Sequence, residues 1–198
     1  MAGRWPAGLP SGRIAIGLPL PANATEALCF GGRWAGEMTT DRVPLSGGVS
    51  RISRAGSRTA HDAFPGLVVG SQGFSADAGE VLAVHLGWWG NYELAVETTR
   101  DGGYRAIFHL DPRELSDHAD GGFVSPDLYF GWSDKGLNGI RTVFQEGVRA
   151  LRQQSGAATQ GKVQLNTWEG VYFEHSETRL KEMASAAAAM GFERFVLD

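Results

Sequence analysis

Residues 81–110 constrain the fold more than any other part of the chain. Positions 81–88 form a nearly continuous apolar run, which suits a strand buried on both faces. Gly90-Asn91 supplies a turn, and Tyr92, Leu94 and Val96 then alternate with Glu93, Ala95 and Glu97. Asp101-Gly102-Gly103 supplies a second turn, after which Tyr104, Ala106 and Phe108 alternate with Arg105, Ile107 and His109. Three strands joined by tight turns are expected to form an antiparallel meander, half of a sandwich. Residues 13–20 read as an edge strand stopped by Pro19 and Pro21. A short buried strand is expected within 64–70, and 22–60 hold further short candidate strands among glycines and charges. The 28 glycines in 198 residues, about 14% against an average near 7%, fit a chain with many turns.

Beyond these strands the period changes. Asp134 is expected to cap a helix in which Leu137, Ile140, Val143, Phe144, Val148 and Leu151 fall near one face. Residues 153–161 are polar, small and patternless, which places a domain boundary there. A strand over 162–173 follows. Ser176 then caps a helix carrying Leu180, Met183, Ala184, Ala187 and Met190, with Gly191 in its C′ position. A last strand runs from Glu193 to Asp198. Strand, helix and strand in this span make a βαβ unit, whose strands must be parallel. A parallel pair alone cannot cover an Ala- and Met-rich helix, so the natural protein is expected to continue past residue 198. The exposed underside of this unit is expected to promote association.

Composition narrows the function classes. Hydrophobic residues make up 42% of the chain, too many for a disordered tail. A formal net charge of −4, from 18 basic and 22 acidic side chains, argues against a nucleic-acid or membrane-surface partner. Cys29 stands alone, which leaves no internal disulfide and no cysteine-rich zinc site. No apolar run reaches the roughly 18 residues of a membrane span. Pro6, Pro10, Pro19 and Pro21 break up the N-terminal apolar stretch, which argues against a signal peptide and for a cytoplasmic protein.

Two residues stand out for chemistry. Trp168 and Asp198 each fall at or near the C-terminal end of an expected parallel strand, the rim where an α/β barrel keeps its active site. A flat aromatic face and a carboxylate suit a sugar: the ring stacks on C–H faces, and the carboxylate accepts hydrogen bonds from two hydroxyls. The same residues also fit buried packing and an ordinary strand end, and spacing does not separate the two readings. Glu169 alternates away from Trp168 and reads as structural, pointing between strand and helix. His175 belongs to the helix entry. His61, His85, His109 and His118 lack ligand spacing, so no metal is expected. No Gly-x-Ser-x-Gly elbow is present. Trp88-Trp89-Gly90-Asn91 could form a sugar platform; two adjacent strand tryptophans face opposite ways, so at least one is expected in the core.

The run Asn166-Thr-Trp-Glu-Gly-Val-Tyr-Phe-Glu-His, followed by Leu180, Ala184 and Met190-Gly191-Phe-Glu-Arg-Phe-Val-Leu-Asp198, resembles the start of the catalytic barrel in glycoside hydrolase family 36, the microbial α-galactosidases. Upstream, Phe30-Gly31-Gly32-Arg33-Trp34 with Glu37, Arg58-Thr59-Ala60-His61-Asp62-Ala63-Phe64-Pro65 and Trp89-Gly90-Asn91 resemble motifs of its N-terminal β-sandwich. Ser125-Pro126-Asp127 and Ser133-Asp134-Lys135-Gly136-Leu137-Asn138-Gly139 resemble the passage into its linker helix. The chain departs from the family pattern at Gly170 (usually Ala), Trp89 (usually Ser) and Ala60 (commonly Ser).

The resemblance implies a partial antiparallel sandwich over 1–133, a linker helix and loop over 134–161, and the first βαβ segment of a truncated (β/α)8 barrel over 162–198. It implies a retaining α-galactosidase acting on α-galactoside oligosaccharides without metal or organic cofactor. Trp168 and Asp198 would bind substrate, Trp168 in the galactose pocket and Asp198 as the first of the family's paired aspartates. The nucleophile and acid/base would lie downstream, so this chain alone is expected to be inactive. A raffinose-synthase-like galactosyltransferase, an α-N-acetylgalactosaminidase and a noncatalytic sugar-binding sandwich module are the alternatives. Homo-oligomerisation of the full-length protein stays open.

Overall fold

A computed structural model describes residues 2–4, 12–46, 50–54, 63–115, 122–156 and 161–198. The chain divides into two compact units, Met1–Gly147 and Val148–Asp198. The motif beginning at Arg58 lies outside the described residues up to position 62, as do His61 and His118.

The first unit runs β1 (Ala2–Arg4), β2 (Ile14–Pro19), β3 (Glu26–Arg33), β4 (Gly36–Pro44), β5 (Ser50–Arg54), β6 (Ala63–Gly70), β7 (Val81–Leu86), β8 (Tyr92–Thr98) and β9 (Tyr104–Leu110). A single turn, α1 (Pro112–Leu115), precedes β10 (Gly122–Val124), β11 (Leu128–Ser133) and the long α2 (Gly136–Gln154). One sheet has the order β11-β7-β6-β3-β4 and the other β2-β9-β8-β5; β1 pairs with β10. All these pairings are antiparallel. As expected, β2 is an edge strand, and β7 lies between two neighbours with four of its six residues buried.

The expected three-stranded meander is corrected. β8 and β9 form a hairpin, closed where Thr99 N–H donates to Gly103 O (2.8 Å), but β7 belongs to the other sheet. Gly87 N–H donates to Asp127 O (2.8 Å), extending the pairing with β11 by one residue, and the chain then crosses between layers before Tyr92. Alternation marks a strand but not its partner, and a sandwich needs chains that change sheets. The main core lies between the layers: Leu67, Val69, Val84 and Leu86 from one sheet meet Leu94, Val96, Ala106, Phe108 and Leu110 from the other. Each Leu, Val or Phe among them contributes about 1.5–3 kcal/mol on full burial.

The opposite face of the five-stranded sheet carries Val68, Val81 and Ala83, with Leu28 and Phe30 beside them. Ile140, Leu137 and Phe144 of α2 cover it, whereas Val148 and Leu151 are exposed. Asp134 does not cap this helix, contrary to expectation. The β6–β7 loop supplies the acceptors instead: Gly136 N–H donates to Gly79 O (3.0 Å), Leu137 N–H to Ser75 O (3.0 Å) and Asn138 N–H to Ala76 O (2.7 Å). The chain reaches that loop only because Gly136 takes φ +60°; a Cβ there would fall 2.4 Å from Ser75 O. The loop itself is pinned by Arg42, which donates to Phe74 O (2.9 Å) and Glu26 Oε2 (2.6 Å) and lies 4.0 Å over the Phe74 ring. Glu26 also accepts from Gly73 N–H (3.1 Å), and the Arg42 guanidinium followed by this amide holds its carboxyl below the usual range.

The second unit contains the end of α2, β12 (Gln164–Asn166), α3 (Trp168–Val171), α4 (Glu177–Ala189) and β13 (Arg194–Val196). β12 and β13 are parallel, with Asn166 opposite Val196. Strand, helix and strand therefore follow the expected order. The expected strand over 162–173 is much shorter, because the chain leaves extended backbone at Thr167 (φ −84°, ψ −13°) and makes one helical turn. Ser176 Oγ accepts from Arg179 N–H (3.5 Å) and caps α4 as expected. At the other end Gly191, φ +90°, donates to Ala188 O (3.1 Å), and Phe192 N–H donates to Ala187 O (3.0 Å). This pair of bonds is a Schellman motif, which needs the left-handed conformation at C′.

Candidate functional site

The candidate site lies within the second unit, at the edge where both parallel strands end. Two residues past β12 comes Trp168, and two past β13 comes Asp198. Thr167, fully buried, ties the two exits together. Its N–H donates to Val196 O (3.0 Å), and its Oγ1 accepts from Asp198 N–H (3.2 Å). Asn166, the last residue of β12, makes two further bonds. Its Oδ1 accepts from Trp168 N–H (2.7 Å), closing an Asx-type turn, and its Nδ2 donates to Asp198 Oδ2 (2.8 Å). The carboxylate has a second oxygen, and both side chains stay open to solvent.

Trp168 is 37% exposed in this chain. Its ring meets Tyr172 and Phe173 edge-to-face, with centroids 5.4 and 5.1 Å away. Tyr172 adopts φ +48° at the end of α3, a conformation that costs a non-glycine residue roughly 1–3 kcal/mol. Tyr172 N–H donates to Trp168 O (2.8 Å), and its hydroxyl donates to Glu169 Oε2 (3.1 Å). That hydrogen bond, then the carboxylate's charge, pushes the Tyr172 hydroxyl above its ordinary pKa. Glu169 is exposed on the helical turn, so the strand alternation used to orient it does not apply; it holds the Tyr172 hydroxyl. Arg179 Nη2 donates to Gly170 O (3.0 Å), tying α4 to the same turn. A Cβ at Gly170 would lie 3.1 Å from the flexible Met183 Cε, so the methyl usual in the family fits with a small adjustment.

The other candidates lie elsewhere. His175 directly precedes the α4 cap, as expected for a helix-entry residue. His85 stacks on Phe64 (4.8 Å, 24°), and burial lowers its pKa. Among the described residues no cluster of three or more His, Cys, Asp or Glu side chains could hold a metal. Trp88 and Trp89 do not face opposite ways as strand neighbours would. They follow β7 and stack on each other (5.2 Å, 28°), Trp88 against the core and Trp89 exposed. Sequence reasoning missed Asn166 and Thr167 as parts of the site. The signal was present, since an Asn two residues before a helical turn favours a side-chain bond to the backbone amide ahead.

A β-sandwich followed by a parallel βαβ unit, with an aromatic ring and a carboxylate at the strand ends, defines a two-part architecture: an antiparallel sandwich joined to a parallel α/β segment. Residues 12–118 match the glycosyl hydrolase family 36 N-terminal domain, and residues 122–198 match Melibiase. The chain belongs to glycosyl hydrolase family 36. It is 40% identical to an α-galactosidase of Escherichia coli over 193 residues, 94% of this chain and 27% of that protein. The α-galactosidase of Lactobacillus brevis superposes with a TM-score of 0.73 at 26% identity, covering 93% of this chain and 25% of that one. AgaA of Geobacillus stearothermophilus superposes with a TM-score of 0.76 at 24% identity and shares the fold. Variants of AgaA have been solved with stachyose and with raffinose. The chain thus spans about a quarter of the length of these relatives.

Proposed function

We propose that this chain is part of a retaining α-galactosidase and supplies the first two elements of its galactose pocket. The carrying observation is the strand-end cluster itself: an exposed indole and an exposed carboxylate at one edge of a parallel pair, with Asn166 bonded to the backbone N–H of Trp168 and to the Asp198 carboxylate. A carboxylate in this position accepts hydrogen bonds from two neighbouring hydroxyls, and the indole offers its face to sugar C–H groups. The α-galactosidase relatives, and the AgaA complexes with raffinose and stachyose, support an α-galactoside as the ligand.

In the retaining reaction one carboxylate attacks the anomeric carbon while a second carboxyl protonates the departing oxygen. Water then cleaves the glycosyl-enzyme with the second group acting as base. We assign neither role to Asp198. It holds sugar hydroxyls, and the reacting carboxylates belong to the part of the family's barrel that follows this segment. The 198-residue chain alone is therefore expected not to turn over substrate. The test compares three proteins on an aryl α-galactoside: the 198-residue chain, the chain extended by its own downstream reading frame, and that extended protein carrying Asp198→Asn. The extended protein should hydrolyse the substrate with α-galactose as first product. Asp198→Asn should lower kcat/KM about 100-fold, because a charged acceptor shared by two hydroxyls is weakened. Turnover by the short chain would refute the division of labour. An Asp198→Asn protein within twofold of the parent would refute the site.

A further inference from the structure

We propose that Asn166 is a positioning residue for this pocket, acting on both sugar-contacting elements through one side chain; this rests on the reading above. The amide is a two-ended clamp. Its oxygen accepts from Trp168 N–H (2.7 Å), which sets where the chain leaves β12 and so where the Trp168 ring begins. Its nitrogen donates to Asp198 Oδ2 (2.8 Å), which fixes the carboxylate's rotation at the end of β13. One oxygen is engaged by Asn166, so the carboxylate plane is set before any sugar arrives. An exposed aspartate without such a bond would have to lose rotamer freedom on binding. The two ends of the amide differ chemically, one acceptor and one donor, so neither aspartate nor leucine can replace both bonds. The neighbouring Thr167 makes its own bonds to Val196 O and Asp198 N–H, and these hold the backbone independently of the amide.

That division allows the two ends of the clamp to be separated. Asn166→Ala removes both bonds. Asn166→Asp keeps an acceptor for Trp168 N–H, removes the donor and sets a like charge against Asp198. Amide exchange is measured by NMR on the 198-residue chain. Asn166→Ala should lower protection of Trp168 N–H about tenfold while Thr167 N–H, bonded to Val196 O, keeps its protection. Asn166→Asp should leave both protected. In the extended protein, the inhibition constant of free galactose should rise about tenfold in Asn166→Ala and further in Asn166→Asp, despite the latter's nearly unchanged shape.

Unchanged Trp168 protection in Asn166→Ala, or a galactose inhibition constant within twofold of the parent in both variants, overturns the proposal. Weakening by Asn166→Ala with Asn166→Asp within twofold of the parent would overturn the role of the donor end. If the extended parent neither binds galactose nor hydrolyses galactosides, the α-galactosidase reading fails and with it the positioning of a sugar pocket. The exchange pattern would then separate that failure from a wrongly drawn turn.

Discussion

Replacing Gly136 by alanine should unfold the junction between the sandwich and α2, because two independent penalties fall on one methyl group. Gly136 sits at φ +60°, which costs a residue with a Cβ roughly 1–2 kcal/mol. The added Cβ would lie 2.4 Å from Ser75 O, 2.7 Å from Ala78 N and 2.9 Å from Ala78 O, all backbone atoms that cannot rotate away. Relief requires the β6–β7 loop to retreat from the helix start, weakening the bonds from Gly136, Leu137 and Asn138 to Gly79, Ser75 and Ala76. Helix-end bonds of this kind are worth about 1 kcal/mol each, so partial weakening of the three adds about 1–2 kcal/mol to the backbone cost, about 3 kcal/mol together. For a chain of this size that is a fall in Tm of about 6–12 °C. Gly147 is the control. It lies within α2 with nothing within 4 Å of its would-be Cβ, and Gly147→Ala should stabilise by about 0.5–1 kcal/mol. Thermal and urea unfolding of the two variants should give shifts of opposite sign. A Gly136→Ala protein within about 0.5 kcal/mol of the parent would refute the account of how α2 is capped.

Two further outcomes rest on the sandwich. Phe108→Ala empties the largest fully buried side chain of the core and should cost about 3–5 kcal/mol in urea unfolding. His85 is half-buried against Phe64, and burial lowers its pKa from the ordinary 6.5. The unfolded chain therefore takes up a proton first, so this contribution to stability is complete above pH 6.5 and is lost as pH falls below it. The Tm of the parent should drop faster than that of His85→Gln between pH 7 and 5, and parallel curves would show that His85 does not titrate with folding.

Much of the architecture was legible because local chemistry imposes it. Ser176 and Gly191 bracket α4 at positions that backbone geometry demands, a β-region cap with a free oxygen and a left-handed stop. The β8–β9 hairpin announced itself through Asp101-Gly102-Gly103. β11 was not anticipated, since Leu-Tyr-Phe-Gly-Trp-Ser does not alternate cleanly; it is a strand because β7 offers it an edge. The same limit applies at residues 167–171. A run of mixed apolar residues reads as strand continuation, while the Asn166 side chain and the Thr167 backbone turn it into a helical bend.

The sequence by itself determined the type of most major elements and the family, and singled out Trp168 and Asp198 as candidates, because periodicity, caps and motifs are written in neighbouring positions. Tertiary structure alone decided which strands share a sheet, that a distant loop and not Asp134 caps α2, and that Asn166 joins the two strand ends. Those outcomes depend on hydrogen-bond donors and acceptors far apart along the chain, such as Asn138 with Asp77 beside the helix start, 61 residues away, or the β2–β9 ladder in which Ile14 pairs with Leu110. Position along the chain carries no information about which of them will meet.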